Sequence, residues 1–480
     1  MVRQFLKFMS NKFLKLTKTK KFKTLLFFIV FTLAILVRIW KMEYIPFQSD
    51  WDEYAYIFAG QTLIATGEPT SISTFIHDYP PENVRTAKLS EMLELNIKGS
   101  YILANPWFDH PPLLPLISGA WVNLFNYSFP SHVPSLIYRM PIIFFSSITL
   151  LLVFLITQKL FGFYQALFSL ILIGFTPSII FIQRMIVGEN LYIPLMLLTV
   201  YLMLNNKNVI KLIFLTVLAG LTKMTGLITV PIVASYFLLK KQYKTTIIYS
   251  LTSLLGFGLI YSLYGYLIDW SQFIQMLKTQ SFRLLGWRNP AFIFSHPGFH
   301  QKLILDAGYY LILFLGLVSL FLPSRKTLVN KFLRLSIFGS LILVWFTSSE
   351  VSMLGWYKLP LFTFLAISAG RLIKKNIDFS LIILLAITVI NNYGLIRDAI
   401  HPYPEPEIFR SVLLIVFGGI FTLTLLPKVA INLKKSILVV LLTLYITSAF
   451  YITDRYYQSI CDHKLCPLPI LTLKQVIKPN

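Results

Sequence analysis

Pro111-Pro112-Leu113-Leu114-Pro115-Leu116-Ile117-Ser118-Gly119-Ala120-Trp121-Val122-Asn123-Leu124-Phe125-Asn126 is the stretch on which the architecture of this chain turns. It is apolar but only 16 residues long, opens on two prolines and is interrupted again at Pro115, Asn123 and Asn126. A helix needs about 20 apolar residues to cross a bilayer, so this segment either crosses at the limit or lies flat at the interface. Each choice inverts the topology of everything that follows.

On either side of it the sequence belongs to a membrane. Of 480 residues 56% are hydrophobic and 13% charged, and the apolar residues fall in blocks of about 17 to 23. A first block, Leu25 to Trp40, follows a tail of 23 residues that holds eight Lys/Arg and no acid. No small-residue cleavage site follows that block, so it reads as a retained helix with its basic tail in the cytosol rather than as a signal peptide. The polar, Pro-broken sequence from Lys41 to Asp109 then forms an outer loop. Further spans are expected at about 139–158, 166–183, 190–204, 209–222, 225–239, 246–268, 303–322, 332–347, 359–372, 379–396, 409–426 and 436–453. With the first helix this makes thirteen.

Charge decides the ambiguous stretch. If Pro111–Asn126 lies at the interface, the clusters Lys240-Lys241-Lys244, Arg325-Lys326-Lys331, Arg371-Lys374-Lys375 and Lys428-Lys434-Lys435 all fall in the cytosol; if it spans, all of them flip outside. Positive loops stay inside, which selects the interfacial reading. The inner side then carries 24 Lys/Arg against one acid, Asp378, and the outer side 19 of each sign, so the whole net charge of +23 is cytoplasmic. These clusters sit between apolar blocks and not along one amphipathic face, which argues against nucleic acid as a partner. The expected organisation is an all-α multi-pass protein of a cell membrane. A basic tail (1–23) precedes a catalytic transmembrane module (24–375) with outer loops at 41–138 and 269–302. C-terminal helices (376–453) and an extracytoplasmic tail (454–480) complete it. Cys461 and Cys466 lie in that tail, where a disulfide can persist. No short repeat and no zinc-finger spacing is present.

The residues that can carry chemistry gather in the outer segments. Ser49-Asp50-Trp51-Asp52-Glu53 stands just beyond the first helix, followed by Tyr54, Tyr56, Ala59, Leu63 and Gly67, a helical pattern closed by a glycine. Two readings are open for its acids: caps of a short interfacial helix, which favour an N-terminus, or working groups. Asp109-His110 precedes Pro111-Pro112. Arg184 and Glu189 stand at the outer ends of successive spans, where an ionisable pair is either functional or a structural ion pair. Lys223 sits in a sharp outer turn, either snorkelling or binding an anion. Two later outer segments bring Arg288, His296 and His300, and then Trp356, Tyr357 and Lys358. Together these cations suit a lipid phosphate in the outer headgroup plane.

At these residues the sequence resembles the GT-C superfamily of lipid-dependent glycosyltransferases, in particular the protein O-mannosyltransferase and lipid A aminoarabinose transferase branch, over most of the chain to about residue 375. Asp52-Glu53 with Tyr56 and Gly67 resembles the acidic motif of its first outer loop. Asp109-His110-Pro111-Pro112-Leu113 resembles its His-Pro-Pro motif, Arg139-Met140-Pro141 its Arg-Leu-Pro, and Tyr357-Lys358-Leu359-Pro360 its Tyr-x-x-Pro. Trp356 departs from the usual Arg, and Glu189 from the common Asp. No Trp-Trp-Asp motif is present, which speaks against transfer of a whole glycan.

The resemblance implies an inverting transfer of one sugar from a polyprenyl- or dolichyl-monophosphate carrier to an acceptor hydroxyl of a protein, lipid or glycan. Asp52 is then the general base, with Glu53 beside it and Glu189 orienting the acceptor or holding Arg184. Tyr56, Asp109, His110, Arg184, Lys223, Arg288, Tyr357 and Lys358 line the substrates, and the cations stabilise the departing phosphate. In the aminoarabinose branch a carboxylate at the position of Asp109 joins a later-loop His in binding zinc; here His296 or His300 is the corresponding candidate, for zinc or for magnesium or manganese. Two or three N/O ligands do not establish a metal from sequence. The rival class is a lipid-linked-sugar transporter or flippase, which ordinarily shows repeated halves and broken helices near the midplane. Neither is visible here.

Overall fold

The computed structural model of the chain describes residues 19–46, 52–88, 100–131, 133–281, 292–295, 307–322, 327–347, 355–373, 379–394, 418 and 430–462. Asp50, Arg288, His296, His300, Cys466 and most of the expected span 409–426 lie outside the described residues, as do the basic tail to Lys18 and the cations Arg325, Lys326, Lys374, Lys375 and Lys428.

The first helix, α1 (Lys20–Ile39), starts where Thr19 Oγ1 accepts the Phe22 amide at 3.2 Å, one of the donors a helix N-terminus leaves unpaired. The outer loop then builds α2 (Asp52–Thr66), a small sheet and α3 (Leu113–Asn123). In the sheet β1 (Ser71–Ile72) and β2 (Val84–Lys88) both pair antiparallel with β3 (Ser100–Ala104), in register Ser71 to Ala104 and Val84 to Ala104. Gly67 closes α2 as expected, with φ +82° and its amide on the Leu63 carbonyl at 3.0 Å. Its helix crosses α3 at contact distance: a Cβ on Gly60 would lie 1.8 Å from the Pro115 carbonyl oxygen, and one on Gly119 2.3 Å from Gly60.

The bundle continues with α4 (Ser135–Leu160), α5 (Phe163–Phe175), α6 (Pro177–Ile182), α7 (Gly188–Leu204), α8 (Val209–Thr222), α9 (Thr229–Leu239) and α10 (Tyr243–Ile268). A short helix, α11 (Trp270–Ser281), follows, then α12 (Phe292–Ser295), α13 (Ala307–Phe321), α14 (Thr327–Thr347), α15 (Leu359–Gly370), α16 (Phe379–Gly394) and α17 (Ala430–Asp462). Among the described residues, five helices are long and apolar enough to cross a membrane by themselves: Lys20–Ile39, Ser135–Leu160, Tyr243–Ile268, Thr327–Thr347 and Leu433–Tyr456. Seven more are apolar but shorter. The expected span 166–183 is two helices, because Pro177 has no amide to continue α5 and opens α6 instead.

The geometry settles the Pro111–Asn126 stretch. Arg139, in the first turns of α4, donates to the carbonyls of Met42 at 2.6 Å and Pro46 at 3.0 Å, both just beyond α1. The chain therefore leaves α1 and enters α4 at the same end of the bundle, and α3, 11 residues or about 16 Å long, lies against α2 without crossing between them. Lys41 and Asp454 pair at this end as well, so α1 and α17 point the same way. At the opposite end Lys159 donates to Asn205 at 2.6 Å, Lys240 to Asn206 at 3.2 Å, and Arg371 to Asn330 at 2.8 Å.

Candidate functional site

Among the described residues the buried charges gather at the end where α1 meets α4. Glu53, in the first turn of α2, is wholly buried: Arg139 Nη2 stands 2.7 Å from its Oε2 and Nε 3.1 Å from its Oε1, while the Ile186 amide donates to Oε1 at 3.1 Å. This carboxylate thus ties three segments together: α2, α4 and the turn ahead of α7. Its neighbour Asp52 is half-buried at the start of α2, on the face of Tyr56. There its charge reaches Tyr56, Asp109 and Lys223.

Tyr56 is buried where the charges of Asp52, Glu189 and Asp109 converge with the phenol of Tyr357. The His110 ring stacks on it at 5.1 Å between centroids, and Trp107 meets both rings edge-on. Asp109 is held from the loop between β1 and β2: Ser73 Oγ donates to its carboxylate at 2.8 and 2.9 Å and Tyr79 Oη at 2.9 Å, while Tyr79 Oη accepts the Phe108 amide at 3.0 Å. Burial pushes this carboxyl up to about 7 from its ordinary 3.8; the two hydroxyls pull it down and the charge on Asp52 pushes it up. Neither hydroxyl is foreseen by the sequence, because a turn-rich loop without periodicity gives no sign of where its side chains return.

Asp109 thus accepts hydroxyl hydrogen bonds at both oxygens, and its expected metal partners, His296 and His300, lie outside the described residues. Among the described residues no three His, Cys, Asp or Glu side chains gather as a metal site.

Across from α2, Lys223 forms a buried pair with Glu189, its Nζ 2.9 Å from Oε1 and 3.2 Å from Oε2, and lies 4.4 Å from the centre of the Tyr357 ring. The pairing needs Gly188: a Cβ there would sit 2.6 Å from the Lys223 Cδ. Glu189 therefore pairs with Lys223 and not with Arg184. Arg184 turns the other way, donating to the carbonyls of Val37 at 2.6 Å, Trp40 at 2.9 Å and Ile45 at 2.7 Å, where it fixes the exit of α1. Lys358 is buried too, its Nζ 5.3 Å from the centre of the Tyr309 ring on α13. The structure thus brings together Asp52, Tyr56, Asp109, His110, Glu189, Lys223 and Tyr357, sets Glu53 and Arg184 into the frame around them, and turns Lys358 toward α13.

A fourth wall comes from α11. Asp269 caps it by accepting the Gln272 amide at 3.0 Å, Phe273 packs where a Cβ on Gly265 would lie 2.3 Å from its ring, and Gln280 reaches the main-chain carbonyl of Asp109. The sequence reading treats this stretch only as part of an outer loop, although its polar and apolar residues alternate at helical spacing.

No protein-family model and no curated protein matches the sequence. Solved structures do resemble it in fold. The structure of ArnT from Cupriavidus metallidurans bound to undecaprenyl phosphate superposes with a TM-score of 0.56 at 13% identity, covering 91% of this chain and 77% of that one. The apo state of the same protein gives 0.50 at 14% identity, covering 92% and 77%. The apolar helices and this likeness make the chain a multi-pass membrane protein, and the fold it carries is the one seen in ArnT.

Proposed function

We propose that this chain is an inverting glycosyltransferase that moves a sugar from a polyprenyl- or dolichyl-monophosphate carrier to an acceptor hydroxyl at the extracytoplasmic face. One observation carries the reading. A half-buried carboxylate, Asp52, shares one end of a GT-C-like bundle with a buried, charged cluster of Glu189, Lys223, Tyr56 and Tyr357. The resemblance to a protein seen with undecaprenyl phosphate supports a lipid-phosphate donor, and the basic loops at the opposite end support a cytoplasmic placement for that end and for the N-terminus.

In the proposed step the acceptor oxygen attacks the anomeric carbon from the face opposite the phosphate. The bond between that carbon and the phosphate oxygen breaks, both its electrons leave with the lipid phosphate, and the hydroxyl proton passes to Asp52. The leaving group departs unprotonated with one more negative charge than the donor carried, so it needs hydrogen-bond donors and cations rather than an acid. Lys223 and the Tyr357 hydroxyl are assigned that work, with Arg288 by its place in the sequence. Glu189 holds Lys223 in place, and Glu53, through Arg139, sets the angle of the helix that bears Asp52. Bound together, donor and acceptor react as positioned partners instead of by encounter.

The test is transfer by purified protein from a panel of polyprenyl-phosphate sugars to acceptor mixtures, followed by mass spectrometry of proteins and lipids. A product one sugar heavier than the acceptor is expected, with the anomeric configuration inverted. Hydrolysis or transfer absent with every donor, while lipid-linked sugar crosses a vesicle membrane, would replace the enzyme with a flippase.

A further inference from the structure

The end of the bundle farthest from Asp52 carries a second cluster that the proposed chemistry does not use. The turn from α7 to α8 and the turn from α9 to α10 lie side by side, joined by the hydrogen bond from Lys240 Nζ to Asn206 Oδ1 at 3.2 Å, and the end of α4 joins them through Lys159 Nζ on Asn205 Oδ1 at 2.6 Å. Six lysines meet there: Lys159, Lys207, Lys211, Lys240, Lys241 and Lys244. All but the partly buried Lys240 are exposed. Neither turn contains an Asp or Glu to neutralise them. Asn206 and Lys241 adopt positive φ, 52° and 60°, so each turn is a tight reversal that keeps its cations close to the helix ends. Directly along the helices from these cations the surface turns apolar, with Ile210 70%, Phe214 61%, Leu238 49% and Tyr243 61% exposed.

A concentrated positive patch with apolar side chains running from it along the helices matches one kind of molecule in both its parts. We propose that these two turns bind an anionic phospholipid, its phosphate held by the lysines and its acyl chains lying along Ile210, Phe214 and Leu238. The charge is complementary to the headgroup. The apolar rim separates a lipid from a soluble phosphate, which would have no use for it. The asparagines serve the site by fixing Lys159 and Lys240, which leaves the exposed lysines of the two turns to meet the ligand. The site stands at the other end of the bundle from the sugar chemistry, and its occupancy is read without any transfer assay.

Full-length protein in detergent, mixed with dioleoylphosphatidylglycerol or dioleoylphosphatidylcholine, is analysed by native mass spectrometry. The phosphatidylglycerol is expected to stay bound under conditions that strip the phosphatidylcholine. Replacing Lys207, Lys240, Lys241 and Lys244 by Gln is expected to lower its occupancy by at least about tenfold, since each removes a basic group that attracts the anionic headgroup. Lys434→Gln with Lys435→Gln, on α17, is expected to change it little. If the fourfold variant melts early, Lys241→Gln and Lys244→Gln, both on exposed side chains, read the same loss in smaller steps. Equal retention of both lipids, equal loss in the α17 variant, or displacement of the lipid by inorganic phosphate alone would overturn the proposal.

Discussion

Arg139 grips Glu53 with two hydrogen bonds, Nη2 to Oε2 at 2.7 Å and Nε to Oε1 at 3.1 Å, and neither side chain has any surface in contact with water. Pairing at such depth contributes little net stability, but removing one partner strands a charge, at a cost of about 3 to 5 kcal/mol. Arg139→Met is therefore expected to lower the melting temperature sharply, and Glu53→Gln added to it to recover much of the loss. Thermal melting of the three proteins in detergent checks this. A double variant no better than Arg139→Met would mean that the carbonyls of Met42 and Pro46, and not Glu53, are what Arg139 stabilises.

Gly188 is the space through which Lys223 reaches Glu189. A methyl group there would lie 2.6 Å from the Lys223 Cδ and 2.9 Å from its Cβ, so the lysine stem and the backbone that carries it must both give way. Gly188→Ala is expected to raise the donor KM and to lower the melting temperature together, because the displaced stem carries the cation and its Cβ is fixed to the backbone. A fall in melting temperature with an unchanged KM would reverse that assignment.

Lys223 itself is tested with its partner. Lys223→Gln removes a charge-assisted bond to the donor phosphate, about 1.5 to 3 kcal/mol, or roughly 10- to 100-fold in donor affinity. It also leaves Glu189 buried and unpaired, so the variant with Glu189→Gln added is needed. That double variant is expected to melt near the parent while still binding donor weakly. Normal donor affinity in it would take Lys223 out of the phosphate site.

Asp109 gives the protein a pH signature. Its folded carboxyl is raised to about 7 from 3.8, so between those values the folded state holds a proton that the unfolded state has lost. Stability from this group is full below about pH 4 and is lost as pH rises through 7. The melting temperature is expected to fall from pH 5 to pH 8, and Asp109→Asn, which keeps an acceptor for Ser73 and Tyr79 without titrating, is expected to flatten the fall. An unchanged slope in the variant would assign the dependence to another group.

Much of this is legible in the sequence where periodicity and charge speak. The spacing of Asp52, Tyr56, Ala59 and Gly67 marks α2 and its end, and loop charge alone predicts that Pro111–Asn126 does not cross, which agrees with Arg139 at the start of α4 reaching Met42 and Pro46 just beyond α1. What fails is pairing. Arg184 and Glu189, five residues apart, look like partners, but the reversal at Gly188 aims Glu189 at Lys223, 34 residues onward, and leaves Arg184 to the carbonyls at the end of α1. Ser73 and Tyr79 are silent for a related reason: they reach Asp109 through a short sheet whose strands, of two and five residues, are too brief to imprint an alternating pattern.

Asp52 is the residue on which the proposed function stands, since among the described first-loop acids it alone is half-buried at the start of α2 with its charge reaching Tyr56, Asp109 and Lys223. Asp52→Asn keeps the shape of the side chain and removes the proton acceptor. The most direct measurement is transfer from a radiolabelled polyprenyl-phosphate sugar by the purified Asp52→Asn protein, with folding checked by melting and donor binding measured in parallel. The account predicts turnover lower by about two to four orders of magnitude with donor binding retained. Near-normal turnover in that variant would contradict it.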